Sequence, residues 1–306
     1  MKLSERLPRI LGLLAFAASL AYLGWMAARH AASFPAVTMS PPAAGALAAA
    51  LGLYLLMVLA GGTAWYLLLR APEAPVRLRT VLTVWGLAQV GKYLPGNVGQ
   101  YLGRAALAKR HGIPLHRSAL TFVFETTGLI VTAAAGALLT AGTGQTLTAP
   151  WKIALLALAA VLAPFGLVHA VERWFPGRLR RHTGLDRLPR PGVATLGGTM
   201  LLYALSFACW GLAFELLARH LFAAPPDTPW GRAVPAFALA WVAGFLTPGA
   251  PAGLGIREAL LVAGTAPLYG PGTALSAALA LRLVTVLGDG VAFVVAWGGE
   301  PPSRSL

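Results

Sequence analysis

Apolar runs recur along the chain at the length a lipid bilayer dictates. A hydrocarbon core of ~30 Å needs about 20 helical residues to cross it. Residues 10–26, 43–69, 119–141, 151–170, 193–217 and 273–297 each supply such a run, although the last carries Arg282 and Asp289. These predict six full spans. Two further stretches, 80–112 and 233–264, behave differently, because each consists of two apolar arms separated by a Pro-Gly step, Pro95-Gly96 and Pro248-Gly249. An arm of about 15 helical residues rises only ~22 Å, too little to cross. Each stretch therefore reads as a re-entrant helical hairpin. Non-helical backbone at membrane depth is tolerated only where protein or a water-filled cavity satisfies its amides and carbonyls, so the breaks are expected to face inward.

The order span, hairpin, span occurs twice, over residues 43–141 and again over 193–298. The expected architecture is an all-α polytopic membrane bundle occupying residues 1–306 as one domain, with the two hairpins oppositely oriented in an inverted-topology repeat. Composition agrees: 57% of residues are hydrophobic and 11% charged, which excludes an ordinary soluble domain. Lys2, Arg6 and Arg9 ahead of the first apolar run also fit a secretory signal peptide. That run is longer than a usual signal core, and the segment through Arg29-His30 offers no small-residue cleavage site, so an uncleaved first span is expected.

Charge fixes the expected orientation. With the N-terminus cytoplasmic and each hairpin returning to its own side, nearly all the basic loop residues fall inside, including the arginine-rich stretch 173–190. The opposite face keeps Arg29, Lys152, Arg219 and Arg232. The imbalance predicts both termini inside a bacterial cytoplasmic (inner) membrane, with the first hairpin opening to the cytoplasm and the second to the other side. The net charge of +14 is mostly this signal, and no basic soluble domain is present to bind nucleic acid.

Charges within apolar sequence carry the candidate chemistry. Placing one at the centre of a span costs roughly 2.5 to 3.5 kcal/mol on insertion scales, so it normally faces a partner or a cavity. Lys92, Arg104, Glu125, Glu215, Arg257, Glu258, Arg282 and Asp289 qualify. Arg104 and Arg257 each lie nine positions after the proline of a break. Asn97 is placed to cap the second arm of the first hairpin, and Pro251 suits the first turn of the corresponding arm in the second. Two helix starts aimed at a shared centre, each with an arginine, suit a phosphate. The plainer reading is that Arg104 with Glu125 and Arg282 with Glu258 are interior salt bridges. If Arg104 and Arg257 only contact phosphate, replacing either should leave the bundle equally stable. Glu215 lies near a span end and reads as structural.

The expected turns comprise Pro95, Gly96, Gly99, Pro248, Gly249 and Gly253, while Gly103 and Gly255 read as packing positions. Trp25, Trp151, Trp230 and Trp297 sit near span ends as interfacial anchors. The six histidines are scattered, Cys209 is the single cysteine, and no phosphate-cradling loop precedes a Lys-Ser or Lys-Thr pair. No metal, cofactor, ATP motor or enzymatic activity is expected.

The segment Gly91-Lys92-Tyr93-Leu94-Pro95-Gly96-Asn97-Val98-Gly99-Gln100-Tyr101-Leu102-Gly103-Arg104, with Glu125 beyond it, resembles the first signature of the lysylphosphatidylglycerol synthase transmembrane, or flippase-like, family. Pro248-Gly249-Ala250-Pro251-Ala252-Gly253-Leu254-Gly255-Ile256-Arg257-Glu258, followed by Arg282, is similar to the second, although Ala250-Pro251-Ala252 interrupts its usual compact Pro-Gly-Gly pattern. The resemblance covers most of the chain. Members with a fused soluble synthase make aminoacylated phosphatidylglycerol and move it between leaflets. With eight residues after Gly298, a stand-alone member is expected here.

The expected function is therefore a lipid flippase or scramblase that passes a phospholipid headgroup, aminoacylated or otherwise polar, through a cavity between the hairpins. Arg104 and Arg257 would engage phosphate, Glu125 and Glu258 would balance charge or meet an amine, and Lys92, Asn97, Arg282 and Asp289 would line the path. Membrane phospholipids are the expected partners, with a homo-oligomer or a lipid-synthesising enzyme as further candidates. The alternatives are a transporter of polyprenyl-phosphate-linked sugar, a membrane glycosyltransferase using such a lipid, and a non-transporting membrane partner. The glycosyltransferase needs a catalytic acid on an aqueous loop, where Asp227 stands alone on the predicted external side. The non-transporting partner requires the central charges to pair off and leave no cavity.

Overall fold

The computed structural model describes residues 40–70, 75–93, 99–139, 191–222, 224–247, 253 and 255–299, with isolated positions at 21, 151, 155, 158 and 173. Among these residues the chain is helical, with α1 (Pro41–Leu69), α2 (Leu78–Ala88), α3 (Gly99–Arg110), α4 (Leu115–Leu139), α5 (Val193–Leu221), α6 (Ala233–Leu246), α7 (Ile256–Tyr269) and α8 (Pro271–Gly298). A 3₁₀ turn, Gln89–Tyr93, continues α2.

Four of these helices, α1, α4, α5 and α8, are long and apolar enough to cross a membrane. At 1.5 Å per residue a helix of 29 residues rises ~43 Å, more than the hydrocarbon requires. They match four of the six predicted spans. The runs at 10–26 and 151–170 lie outside the described residues, apart from single positions. Local sequence fixes the starts: the Ser40 hydroxyl accepts the Ala43 N–H at 3.4 Å, and Pro41 occupies the first turn of α1, where its missing N–H costs nothing. Gly270, at φ 79°, lets the chain reverse between α7 and Pro271 at the start of α8.

The two interrupted stretches form pairs of short helices. In the first, α2 and its 3₁₀ turn pack against α3; in the second, α6 packs against α7. The first arms end at Tyr93 and Leu246, each two residues before the proline of its break. Helices of 11 to 14 residues rise roughly 16–21 Å, short of a span. Pro95, Gly96, Asn97, Pro248 and Gly249 lie outside the described residues, but the flanks meet. A Cβ on Gly91 would stand 2.9 Å from the Gln100 Cα, and one on Gly244 would stand 3.3 Å from the Gly253 Cα.

Pro251, expected in the first turn of this arm, lies outside the described residues, and the described helix α7 begins at Ile256. Gly253 and Gly255 both have positive φ, 71° and 84°, a conformation no helix continues through. The Glu258 carboxylate then accepts the Gly255 N–H at 2.7 Å, fixing the start at Ile256. Gly255 is thus a backbone requirement and not a packing position. Gly103 also fails the packing expectation, since a Cβ there would meet nothing within 4 Å.

The pattern of helix contacts is unchanged when α1, α2, α3 and α4 are exchanged for α5, α6, α7 and α8. Helices α1 and α5 pack along each other, α2 against α8 and α4 against α6, α1 against α8 and α4 against α5. Small residues allow the closest approaches; at Gly211 in α5, an added Cβ would lie 2.6 Å from the Val234 Cα at the start of α6. The apolar core follows the α1–α5 contact from Ala43 to Val58 and from Phe207 to Phe222, and continues into α6 and α8.

Candidate functional site

Each break is followed by an arginine held between aromatic rings, one from the long helix before the pair and one from its first arm. The Arg104 guanidinium carbon lies 4.7 Å from the ring centres of both Trp65 in α1 and Trp85 in α2, with Tyr101 at 5.0 Å. Arg257 lies 4.4 Å from Trp210 in α5 and 4.5 Å from Phe237 in α6. Flat, weakly hydrated guanidinium suits such a slot better than an ammonium, which keeps its water more tightly.

The two arginines differ in their counter-charge. Arg104 makes a two-pronged pair with Glu125 on α4, Nη1 to Oε1 at 3.2 Å and Nη2 to Oε2 at 2.7 Å, and both side chains are buried. Arg257 forms no salt bridge or hydrogen bond among the described residues and is half-buried. Its neighbour Glu258 turns away to cap α7 and to meet Arg282 of α8 at 3.5 Å.

A third cluster ties the first helix pair to α8. Lys92, at the end of the 3₁₀ turn, lies 2.7 Å from the Asp289 carboxylate, which is fully buried. The Tyr54 hydroxyl donates to one oxygen of Asp289 and the Tyr93 hydroxyl to the other, while Lys92 also donates to the Tyr54 oxygen at 2.9 Å. A buried carboxylate is affordable only with such full satisfaction. Residues 197 positions apart meet here, which no spacing rule could have paired.

Between the helix pairs lies a cavity of about 130 Å³. Its wall takes Lys92, Gln100, Arg104 and Trp85 from the first pair, Glu125 from α4, Tyr203 and Trp210 from α5, and Trp241, Gly253 and Arg257 from the second pair and its approach. The Tyr203 hydroxyl and the Trp85 indole N–H are buried atoms with no hydrogen-bond partner among the described residues. Four cations, Lys92, Arg104, Arg257 and Arg282, thus meet three carboxylates, Glu125, Glu258 and Asp289, in and behind this wall. The surplus positive charge is that of Arg257.

Of the residues singled out in the sequence, Lys92, Arg104, Glu125, Gly253 and Arg257 converge on the cavity, and Glu258 and Arg282 sit beside Arg257 around a smaller cleft. Asp289 lies behind Lys92, and Gly99 opens α3. The salt-bridge reading of Arg104 with Glu125 and of Arg282 with Glu258 is what the geometry has, yet a cavity remains, unlike the expectation for a fully paired interior. Glu215 is structural: its carboxylate accepts the N–H groups of Gly231 and Ala233 at 2.8 Å and holds the start of α6. Trp151, Trp230 and Trp297 are exposed, and Trp25 lies outside the described residues. The contributions of Tyr54, Trp65, Trp85, Tyr203, Trp210 and Phe237 were missed. For Tyr54, Tyr203 and Trp210 the available signal was position, since aromatic residues well inside apolar runs lie away from the interfaces that would otherwise explain them.

No curated protein matches the chain. The family model described as the lysylphosphatidylglycerol synthase TM region matches residues 10–292, which spans every described helix except the end of α8. This match and the two charged breaks agree, and the chain belongs to the lysylphosphatidylglycerol synthase transmembrane-region family.

Proposed function

We propose that this integral membrane protein is a lipid flippase or scramblase, and that the cavity between the two broken helix pairs is the headgroup's path while the acyl tails stay in lipid. The observation that carries the reading is Arg257, a guanidinium in the cavity wall with no salt bridge to a carboxylate among the described residues. A half-buried, unpaired cation in an apolar bundle is costly unless an anion visits it. Lipid phosphate is the anion a membrane supplies, and guanidinium matches its oxygens in a two-pronged geometry.

The contact pattern that survives exchange of the two halves supports an inverted repeat, the arrangement in which transporters commonly hold substrate between discontinuous helices. The short helices flanking both breaks support the re-entrant reading, and the excess of basic loop residues on one side supports cytoplasmic termini. In this mechanism Arg257 receives phosphate, whereas Arg104, neutralised by Glu125, shapes the wall.

The test is translocation in reconstituted vesicles carrying a fluorescent short-chain phosphatidylglycerol, followed by accessibility to an impermeant quencher. The parent protein should expose inner-leaflet probe at a rate that Arg257→Gln largely abolishes and Arg257→Lys partly retains. Equal rates in the parent and in folded Arg257→Gln protein would sink the phosphate site.

A further inference from the structure

We infer that the Lys92–Asp289 pair is a proton site: Lys92 leaves Asp289 for the headgroup phosphate in the cavity, Asp289 takes up a proton in its place, and lipid binding is thereby linked to pH. This inference rests on the translocation reading and names what regulates that same site.

The two broken pairs end their first arms differently. Three residues before the proline of the break stands Lys92 in the first half and Phe245 in the second, where Phe245 stacks on Trp241 with planes 3° apart. One arm is held to α8 by charge, and the other is packed by aromatic rings. The charged tie is also unequal in its exposure. The Lys92 side chain is 19% exposed and stands in the cavity wall, whereas Asp289 is fully buried behind it. An anion in the cavity therefore meets the cation and not the carboxylate.

The Lys92 ammonium, on a flexible four-carbon stem, is held by Asp289 at 2.7 Å and by the Tyr54 oxygen at 2.9 Å. Arg257 on α7 and Arg282 on α8 repel it. The other titratable groups facing the pair are Tyr54 on α1 and Tyr93 on the 3₁₀ turn, while α2 and α5 bring it no salt bridge or hydrogen bond among the described residues. A phosphate beside Arg257 places a competing anion against the wall that Lys92 already lines. Once Lys92 turns to it, Asp289 keeps the hydroxyls of Tyr54 and Tyr93 as donors but has no counter-charge. A carboxylate so buried neutralises rather than stay ionised.

The proton has a route. As the salt bridge opens, an Nζ–H proton of Lys92 passes to an Asp289 oxygen, and the amine left behind takes a proton from cavity water. One proton thus enters the protein with one phosphate. The negative charge of a phosphate diester and the positive charge of the proton cancel, so the site's net charge is the same with and without lipid. Glu125 and Glu258, the other carboxylates of the site, have Arg104 and Arg282 as partners and need no proton.

The experiment adds dioctanoyl phosphatidylglycerol to the purified protein in detergent and weak buffer. A pH indicator reads proton uptake, and tryptophan fluorescence reads binding, since Trp85, Trp210 and Trp241 line the cavity. Near pH 7 the parent should take up about one proton per lipid bound, and its affinity should rise as pH falls, by at least ~3-fold per pH unit against a limit of ~10-fold for one linked proton. Because Asp289→Asn alone leaves Lys92 without its charge partner, the comparison uses Lys92→Gln/Asp289→Asn, which removes both charges together. Its binding should take up no proton and hold one affinity from pH 6 to pH 8.

Lipid binding to the parent without proton uptake, or uptake undiminished in the double variant, would overturn the inference. Vesicle translocation separates the two levels. Parent protein that moves the lipid yet binds it without a proton would remove the proton link and leave the translocation reading, whereas proton-linked binding with no movement of the lipid in vesicles would remove the translocation reading.

Discussion

Arg104 and Arg257 occupy the same place in their sequence motifs, yet the structure gives them opposite consequences on substitution. Arg104→Gln strands Glu125, which is 3% exposed and loses two charged hydrogen bonds. Removing one partner of a buried ion pair costs roughly 3–5 kcal/mol. Loss of the guanidinium from the faces of Trp65, Trp85 and Tyr101 adds ~0.5–2 kcal/mol. At ~2–4 °C per kcal/mol for a chain of this order of size, the unfolding midpoint should fall by about 10–20 °C. Arg257→Gln strands no carboxylate and loses only its contact with Trp210 and Phe237, so its midpoint should move by a few degrees at most, on the order of 1 kcal/mol. The sequence alone had led to the expectation of equal stability. The assay is thermal unfolding of both variants in one detergent, with Arg104→Gln/Glu125→Gln as the third arm. Removing the stranded charge should recover about 2 kcal/mol or more of the single-mutant loss. Equal midpoints for Arg104→Gln and Arg257→Gln, or a double variant no better than Arg104→Gln, would refute the reasoning.

Asp289→Asn should destabilise the bundle by roughly 2–4 kcal/mol, because it leaves part-buried Lys92 without its charge partner, and the loss is read in the same thermal assay. Gly211→Ala should sharply reduce the yield of monodisperse protein, since its Cβ would collide with Val234 backbone at 2.6 Å. Gly103→Ala has open space and should hold or gain up to ~1 kcal/mol as a better helix former. With buried Cys209 replaced by serine, a cysteine at exposed Pro75 should react with impermeant reagents from the cytoplasmic side only and one at exposed Asp227 from the opposite side only. Labelling of both from one side would remove the inverted repeat.

What could be read along the chain was whatever depends on local pattern. Apolar length announces a spanning helix, and α1, α4, α5 and α8 fall where hydropathy put them. A Pro-Gly step cannot continue a helix, so the interruptions after Tyr93 and Leu246 were visible too. Charges in apolar sequence were recognisable as costly and therefore purposeful.

The start of α7 was less visible, because it is fixed by two glycines at positive φ and a reaching Glu258. The partners of the central charges needed the tertiary structure altogether. Asp289 could be seen as expensive, but that Lys92, Tyr54 and Tyr93 satisfy it depends on how three distant elements pack. The same packing decides that Arg104 is neutralised and Arg257 is not. Burial energy selects residues by type, which is written in the sequence; charge neutralisation depends on a few ångströms of separation, which only the folded bundle supplies.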